Sequence, residues 1–428
     1  MLWRQLRRLL RRGPAAALAE PSRGDALFDA GDYQGALVAY ERVARSQPTP
    51  GTWVNVGYAR LFLGRAAAAR AAFEEALALQ PGFAPALTGL GDVCAKEGDH
   101  PTAAGFYRRA LGADPDLAVA HNNLSLSLTA LGELEPAWRE AEWRYELPQV
   151  RNYYPRGKLT PRWDGTPLAG RRLLVHWEQG YGDVIQHLRF LGPLAARAPG
   201  FVFECPPPLL RLASASFGAA QVVESHEGLP PFDVCAPLLS LPLLLGSKRD
   251  ALPAPPYLSA DSVVAARFRG QWSAGGRKLL GVAWRSSSFE PARDAELGEL
   301  LALADPRARL ISLQKDATAQ ERELLRARGA LDAGSGFTDF FDTAAAIAAL
   351  DAVLSVDTSV AHLAGALDLP TWLLLTEPAA VRWMSVRADT PWYPSMRLVR
   401  RAPGRAWRDV IGAAWAAIDA QLGRARPG

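Results

Sequence analysis

The stretch Ser355-Val-Asp-Thr-Ser-Val-Ala-His-Leu363 predicts an apolar strand that passes directly into a helix. Asp357, Thr358 and Ser359 fall in the first turn of that helix, where backbone N–H groups without helical partners and the positive end of the helix dipole converge. The stretch therefore predicts an anion site at the carboxyl edge of a parallel sheet, unless the three residues only cap the helix. His362, one turn further along, either reaches the anion or fills the interface between helix and sheet.

Similar strand–helix units surround this stretch. From residue 171 onward, short β-branched or Leu-rich runs alternate with Ala-rich helical stretches, which favours α/β units with parallel strands. A Pro-rich stretch separates two series of predicted strands: 172–177, 201–205, 221–224 and 232–235, and then 279–284, 309–313, 352–356 and 371–375. Two such lobes predict a cleft between them.

The first third of the chain repeats with a period of 33 to 34 residues. Glycine and proline recur at this interval in two columns: Gly31, Gly64, Gly98 and Gly132, and Pro48, Pro81, Pro115 and Pro148. Each unit predicts an apolar helix, a turn that contains Gly, a second helix such as residues 66–79, and a Pro that ends it.

These units resemble the tetratricopeptide repeat. The resemblance rests on a small residue at the tight helix contact and a large aromatic residue in the second helix: Gly57, Gly91 and Ser125, and Tyr40, Phe73 and Tyr107. It implies a solenoid of stacked helical hairpins, because one hairpin cannot bury its own apolar face. It also implies a concave groove, which in such repeats normally binds peptides.

Two asparagines, Asn55 and Asn123, match a position that carries an asparagine ladder in the protein O-linked N-acetylglucosamine transferases. An amide both donates to and accepts from a peptide bond, so it can hold a chain without contacting its side chains. The equivalent residue of the middle repeat is Gly89, so the ladder is interrupted. The resemblance implies that Asn55 and Asn123 contact an acceptor peptide; the alternative is that they are ordinary polar groove residues.

Three motifs in the rest of the chain are similar to those of the heptosyltransferase-like family 9 glycosyltransferases, especially the bacterial branch with N-terminal tetratricopeptide repeats. They are Glu178-Gln-Gly-Tyr-Gly-Asp-Val-Ile-Gln186, Ser355-Val-Asp-Thr-Ser-Val-Ala-His-Leu363 and Pro391-Trp-Tyr-Pro394. The resemblance covers roughly residues 150–425. It implies a GT-B fold of two Rossmann-like lobes, a nucleotide-diphosphate sugar as co-substrate, and inversion at the anomeric carbon.

The repeats and the resemblance together predict an α region followed by an α/β region, in four parts. These are a basic amphipathic segment at residues 1–19, a repeat solenoid at 20–148, an acceptor-side lobe at 149–265, and a nucleotide-sugar lobe at 266–428. We expect the terminal helix, near residues 407–422, to return to the first lobe.

The first motif supplies candidates for acid–base chemistry. Gly180 and Gly182 allow a sharp turn from strand to helix and a close approach of a ligand to the backbone. The resemblance implies that Asp183 is the general base that takes the proton from the acceptor hydroxyl, and a helix cap is the alternative. Glu178 and His187 flank the same turn, so either of them is a candidate base instead.

Four further residues are candidates for donor binding. The resemblance implies that Lys315, with Gln314 beside it, neutralises the leaving diphosphate, because a positive charge there is most effective in a partly desolvated cleft. A solvated lysine is the alternative. Arg285 is either a fork for the diphosphate or a surface residue, and Glu377 is a candidate acceptor of ribose hydroxyls. The family often has a Gly-Asn-Pro phrase near Arg285, and its absence here leaves the donor open.

Composition limits the classes of function. Lys and Arg exceed Asp and Glu by 48 − 44 = 4 residues, which gives no electrostatic footprint for nucleic acid. The sequence has no Cys or His spacing typical of zinc and no Asp-x-Asp motif in a lobe loop, so we expect no metal and no other cofactor. No run of 18 apolar residues and no signal peptide is present, which favours a cytoplasmic protein.

Residues 1–12 combine an apolar face with five arginines. This segment either lies on an anionic membrane surface or is a basic end that frays. The first alternative predicts peripheral contact with the inner face of the membrane.

The leading prediction is an inverting, metal-independent glycosyltransferase of the hexosyl or heptosyl type that acts on a protein or peptide hydroxyl presented by the repeat groove. A second hypothesis is transfer to a lipid-linked or polysaccharide acceptor. A third is a repeat scaffold whose lobes have lost activity and only bind partners.

Overall fold

The computed structural model of the chain describes residues 23–147, 161–218, 222–225, 228–273, 276–286, 293–305, 307–385 and 387–422. The basic segment predicted at residues 1–19 lies outside these ranges. The chain divides into two compact units, Met1–Gly157 with Ala380–Ser385, and Lys158–Ala379 with Val386–Gly428. None of the helices in the described ranges combines the length and the apolar character needed to cross a membrane.

The first unit is built from helical hairpins. Its described α-helices are α1 (Arg23–Ala30), α2 (Tyr33–Ser46), α3 (Pro50–Phe62), α4 (Ala66–Leu79), α5 (Ala84–Lys96), α6 (His100–Ala113), α7 (Ala118–Leu131) and α8 (Leu134–Ala141). Four turn glycines, one repeat period apart, have φ between +76° and +87°: Gly31, Gly64, Gly98 and Gly132. Glycine adopts this left-handed conformation at no steric cost, which explains its recurrence in these turns. The helices and turns together confirm the predicted solenoid of helical hairpins.

The first three hairpins each pack a glycine of the first helix against an aromatic ring of the second. The pairs are Gly24 with Tyr40, Gly57 with Phe73, and Gly91 with Tyr107. A Cβ atom at any of these glycines would overlap with the ring. Only the smallest residue therefore allows the helices to approach this closely, as the small and aromatic columns of the sequence predict.

A buried carboxylate joins the last hairpins. Asp92 of α5 is fully buried and accepts hydrogen bonds from the hydroxyls of Tyr58 (3.0 Å) and Tyr107 (2.7 Å) and from Nδ2 of Asn123 (2.8 Å). Desolvation by burial raises the pKa of Asp92 to about 6, although these three donors act in the opposite direction. The donors come from α3, α6 and α7, so one side chain connects three hairpins.

The segment Ala380–Ser385 belongs to the first unit although it lies far away in sequence. Its single turn of 3₁₀-helix, Val381–Trp383, packs on α7. The backbone N–H and the hydroxyl of Ser385 both donate to the carbonyl of Ala130, at 3.0 and 3.3 Å. Trp383 is fully buried. This segment therefore contributes an apolar anchor to the last hairpin.

The second unit contains two parallel sheets, as predicted. The first has the order β3-β2-β1-β4 and the second β10-β9-β8-β5-β6-β7, and every pairing among the described strands is parallel. The strands are β1 (Leu173–His176), β2 (Val202–Cys205), β3 (Val222–Glu224), β4 (Val234–Pro237), β5 (Lys278–Ala283), β6 (Ala308–Ser312), β7 (Leu331–Asp332), β8 (Ala352–Val356), β9 (Thr371–Thr376) and β10 (Met396–Arg401).

Two strands were not predicted, and both lie at edges of the second sheet. Strand β7 has two residues, which is too short for a periodic signal. Strand β10 has the sequence Met-Arg-Leu-Val-Arg-Arg, and with three arginines among six residues it lacks the apolar pattern that would predict a strand. Charged residues are typical of edge strands because they discourage pairing with other chains.

Helices connect these strands. They are α9 (Tyr181–His187), α10 (Leu191–Arg197), α11 (Leu210–Phe217), α12 (Leu241–Leu244), α13 (Ser262–Trp272), α14 (Leu297–Ala302), α15 (Ala319–Ala327), α16 (Phe340–Ala348), α17 (Ser359–Ala366) and α18 (Trp407–Leu422). The predicted boundary between the lobes, after residue 265, falls inside α13. Arg269 of this helix donates to the Ala349 carbonyl (2.8 Å) and to Asp351 (2.9 Å) of the second lobe. The predicted boundary itself stays a prediction.

The terminal helix α18 has the predicted bounds but not the predicted partner. We expected it to return to the first lobe, whereas its apolar side belongs to the core of the second lobe, with Trp407, Ile411 and Trp415 packed beside strands β5, β8 and β9. The indole N–H of Trp415 donates to the Leu300 carbonyl at 3.1 Å. This helix covers a face of the second sheet that would otherwise expose apolar side chains.

Candidate functional site

The second lobe places an uncapped helix end at the carboxyl edge of its sheet. Strand β8 ends at Val356, and Thr358 is the N-cap of α17, with extended backbone (φ −136°, ψ 168°). Among the described residues no side chain caps this helix, and the Thr358 hydroxyl lies 3.1 Å from that of Ser355 instead. The alternative that Asp357, Thr358 and Ser359 serve only as caps is therefore not supported by the geometry.

Two basic side chains border Asp357. Nη1 of Arg293 lies 3.6 Å from Oδ2, and Nε2 of His362 lies 3.9 Å from Oδ1. The Asp357 and His362 side chains are 9% and 2% exposed, so these charges and dipoles act with little screening by solvent. Arg293 was missed in the sequence because one arginine in an irregular stretch carries no distinguishing signal.

The first lobe contributes the glycine turn and the three candidate bases. Gly180 is the N-cap of α9, and its N–H lies 3.4 Å from Oδ2 of Asp183, which is partly exposed. Glu178 is buried, and its Oε1 accepts from the backbone N–H of Leu239 at 3.2 Å. Of the two carboxylates, Asp183 is thus the one that is accessible to solvent.

His187 is a weak candidate base at neutral pH. Its Nδ1 lies 2.9 Å from the Asp183 carbonyl, four residues earlier in the same helix. Burial lowers the pKa of His187 to about 4, and the neighbouring carbonyl and carboxylates only partly oppose this effect. The ring is therefore neutral over the physiological range and binds a proton poorly.

The two motifs meet in space. Helix α9 of the first lobe packs on α17 of the second. A Cβ atom built on Gly182 would lie 2.8 Å from Cδ2 and 3.3 Å from Nε2 of His362. A residue larger than glycine would therefore push these helices apart. The structure thus brings Gly182 and Asp183 to the same edge as Asp357 and His362.

Lys315 and Gln314 follow strand β6, as predicted, but they differ in accessibility. Lys315 is exposed, and its Nζ donates to the Thr338 carbonyl at 2.8 Å. Gln314 is buried; its Oε1 lies 3.1 Å from the N–H of Arg285, and its Nε2 donates to the carbonyl of the same residue at 3.0 Å. Both polar atoms of the Gln314 amide thus connect the end of strand β6 to the end of strand β5. Its predicted contact with the nucleotide-diphosphate sugar stays a prediction.

Arg285 and Glu377 both have partners within the protein. Nη2 of Arg285 donates to the Asp316 carbonyl at 2.7 Å and to Oε2 of Glu321 at 3.1 Å. Oε1 of Glu377 accepts from Nη1 of Arg400 at 2.7 Å, as a partly exposed ion pair. A ligand at either residue would compete with these contacts, so both roles stay predictions.

The two groove asparagines have different environments. Asn55 of α3 is partly exposed. Asn123 is 5% exposed; its Nδ2 donates to Asp92, and its Oδ1 accepts from Nδ2 of Asn122 at 3.1 Å. The expectation that Asn123 offers its amide to a peptide is therefore wrong for this structure, because the buried carboxylate already binds it.

The described residues contain no group of three or more His, Cys, Asp or Glu side chains arranged to hold a metal ion. The expectation of metal independence stays a prediction.

Comparison with known proteins supports the repeats directly. Residues 4–51 and 57–118 match the family described as Tetratricopeptide repeat. The N-terminal part of the chain thus carries tetratricopeptide repeats. Protein FlbA of Caulobacter vibrioides is 25% identical over 401 residues, in an alignment that covers 84% of this chain and 65% of FlbA. The chain thus spans about two thirds of that relative.

Two solved glycosyltransferase structures are similar to the rest of the chain. The ADP-heptose LPS heptosyltransferase II of E. coli has 16% identity and a TM-score of 0.43, and covers 59% of this chain and 99% of its own. A family 9 glycosyl transferase from Veillonella parvula has 11% identity and a TM-score of 0.44, and covers 62% of this chain and 92% of its own.

Proposed function

We propose that this chain is an inverting glycosyltransferase, which transfers a sugar from a nucleotide-diphosphate sugar to a protein or peptide hydroxyl bound by the repeats. The observation that carries the proposal is the contact of Gly182 in the first lobe with His362 in the second, beside Asp357. This contact places the N-terminus of α17, which suits a leaving diphosphate, close to the first lobe. Asp183, a partly exposed carboxylate, is next in sequence to Gly182.

The N-terminus of α17 is the proposed diphosphate site. The Thr358 side chain makes no capping hydrogen bond to its N–H groups, and the helix dipole favours an anion there. Asp357 does not itself attract an anion, but it lies within 4 Å of both Arg293 and His362. Its proposed role is to orient these two groups toward the diphosphate, because donors already in place stabilise developing charge best.

The proposed reaction is a single displacement. The acceptor oxygen attacks the anomeric carbon while the bond from that carbon to the diphosphate oxygen breaks, so the configuration inverts. The acceptor proton passes to the Asp183 carboxylate, and the nucleoside diphosphate leaves with the bonding electron pair. Asp183 suits this role because its side chain is partly exposed, whereas Glu178 is buried.

The proposed acceptor class follows from the repeats, since stacked helical hairpins normally present a peptide-binding groove. Asn55, which is partly exposed on α3, supports this part of the proposal. Asn123 does not, because Asp92 holds its amide.

Calorimetric titration of the full chain with ADP, UDP and GDP tests the donor site. We expect at least one nucleoside diphosphate to bind in buffer that contains EDTA, because the proposed site uses helix N–H groups and side chains. A titration with Mg²⁺ serves as the comparison. If none of the three binds in either buffer, the donor site is wrong and the inactive-scaffold hypothesis takes its place.

The base assignment gives a prediction for turnover. Asp183→Asn should lower the rate of sugar transfer by about 10²-fold or more while leaving nucleoside diphosphate affinity unchanged, because only the proton acceptor is lost. Glu178→Gln is the matched control, since glutamine keeps an oxygen for the Leu239 N–H. Normal turnover in Asp183→Asn with a loss in Glu178→Gln or His187→Gln would reassign the base.

A further inference from the structure

The motif Pro391-Trp-Tyr-Pro394 has no role in the reaction described so far. Tyr393 of this motif is fully buried, and its hydroxyl lies 2.9 Å from Nδ1 of His362. Its ring packs on Gly365, where a Cβ atom would overlap with it. The phenol ring is therefore held in place by its packing, and its hydroxyl faces the imidazole at hydrogen-bond distance.

Arg189 of the first lobe holds the same motif from the other side. Arg189 is 2% exposed, and its Nη2 donates to the Trp392 carbonyl at 2.7 Å. Its central carbon lies 5.1 Å from the centre of the Tyr393 ring, a distance typical of cation–π contacts. The position of the Tyr393 hydroxyl is thus determined jointly by both lobes.

The other ring nitrogen of His362, Nε2, lies close to Asp357 of the proposed diphosphate site. Nε2 lies 3.9 Å from Oδ1 of Asp357, beside the uncapped first turn of α17. A neutral imidazole carries hydrogen on one nitrogen only, and the hydrogen bond at the other nitrogen decides which one. An anion at this place is stabilised if Nε2 carries the hydrogen and repelled if Nε2 presents its lone pair.

We infer that Tyr393 is a positioning residue, whose hydroxyl donates to Nδ1 of His362 and so keeps the hydrogen on Nε2, where it donates to the bound anion. The identity of that anion as a nucleoside diphosphate rests on the proposed function, whereas the tautomer can be measured without any ligand. No proton is transferred in this role. The motif then serves to make His362 a hydrogen-bond donor even when the ring is neutral.

Nitrogen NMR of the full chain labelled with ¹⁵N-histidine tests the inference without any ligand. The chain has six histidines, and the signal of His362 is assigned from its disappearance in His362→Gln. We expect protonated Nε2 and unprotonated Nδ1 in the wild type, and a mixture of tautomers in Tyr393→Phe. A wild type protonated on Nδ1, or a tautomer unchanged in Tyr393→Phe, overturns the inference.

Tyr257→Phe is the matched control. The Tyr257 hydroxyl also contacts Arg189, at 3.3 Å, and it donates to the Ile185 carbonyl at 3.1 Å. Removing it therefore deletes a hydroxyl beside the same guanidinium and leaves the Tyr393 hydroxyl in place. We expect the His362 tautomer to be unchanged in this variant. A change equal to that in Tyr393→Phe would mean that looser packing around Arg189, and not loss of the Tyr393 hydroxyl, changes the His362 tautomer.

Titration with ADP, UDP and GDP provides a second readout. Tyr393→Phe should weaken binding of the nucleoside diphosphate that binds the wild type by about 2- to 12-fold, the usual scale for one hydrogen bond, and Tyr257→Phe should not. Equal weakening in both variants contradicts a specific role. If the wild type binds none of the three, the proposed function fails, and the tautomer measurement alone decides the role of Tyr393.

Discussion

Three basic side chains of the second lobe, Arg285, Arg293 and Lys315, differ in what they contact. Arg285 donates to Glu321, and Lys315 donates to a carbonyl, that of Thr338. Arg293 lies 3.6 Å from Asp357, next to the uncapped end of α17. We therefore propose Arg293 as the main cation of the proposed anion site, and the role that the resemblance implied for Lys315 stays a prediction.

Arg293→Ala should weaken nucleoside diphosphate binding by about 10- to 100-fold, because hydrogen bonds to charged groups contribute about 1.5–3 kcal/mol. Lys315→Ala, which removes an exposed charge, should have a smaller effect on affinity. Calorimetry of both variants at low and high salt provides the measurement, since salt screens an exposed charge more strongly. Equal affinities of Arg293→Ala and the wild type would remove Arg293 from the site.

At the scale of helices and strands, the repeat unit contains a buried carboxylate, Asp92, whose ionised form lowers the stability of the folded repeats. Asp92 has a pKa of about 6 in the folded protein, above its ordinary value of 3.8. The folded state therefore binds more protons than the unfolded state between these values. The stability gained from protonated Asp92 is present below about pH 4 and is lost as the pH rises through 6.

Asp92→Asn should remove the loss of folding stability that accompanies ionisation of Asp92. At pH 7.5 the hairpins of the variant should be more stable by up to about 3 kcal/mol, since one pKa unit corresponds to about 1.4 kcal/mol, and at pH 4 they should resemble the wild type. Hydrogen exchange of the α5–α7 amides in the full chain at both pH values measures this difference locally. Lower protection of the variant at pH 7.5 would show that the carboxylate is favourable where it lies.

At the scale of the whole molecule, the two units have different proposed roles. We propose that the repeat unit binds the acceptor, and that the unit with two sheets binds the donor and supplies the base, Asp183. Asn55 and Asn123 no longer have equivalent roles in this division, because Asn123 is part of the buried cluster around Asp92. A test of acceptor binding must therefore use Asn55 by itself.

Asn55→Ala should raise the acceptor KM by about 2- to 12-fold, the effect of one neutral hydrogen bond of about 0.5–1.5 kcal/mol. Hydrolysis of the nucleotide-diphosphate sugar should be unchanged, because Asn55 belongs to the other unit. The measurement is the kinetics of Asn55→Ala, and of a variant that lacks residues 1–12, on peptide acceptors and on membrane-borne acceptors. If Asn55→Ala is normal and the truncated variant fails only on membrane-borne acceptors, the lipid-linked acceptor is the correct hypothesis.

Much of the fold could be predicted from the sequence because its signals are local. The turn glycines of the repeats need a left-handed backbone, and the glycine–aromatic pairs need a missing Cβ, so each leaves a periodic mark. The bounds of β8 and α18 follow from apolar patterns within single elements. The strand end and the helix start at the candidate anion site were predictable for the same reason, since both lie within the nine residues 355–363.

The rest depended on contacts between residues far apart in the chain. Only the folded structure places Arg293 beside Asp357, Gly182 against His362, and the Tyr393 hydroxyl on the same imidazole. It also buries Asn123, which the repeat pattern alone suggests as a groove residue. A sequence pattern records what one element needs for its own backbone and burial, whereas the partner of a side chain is determined by how elements pack, which local periodicity does not specify.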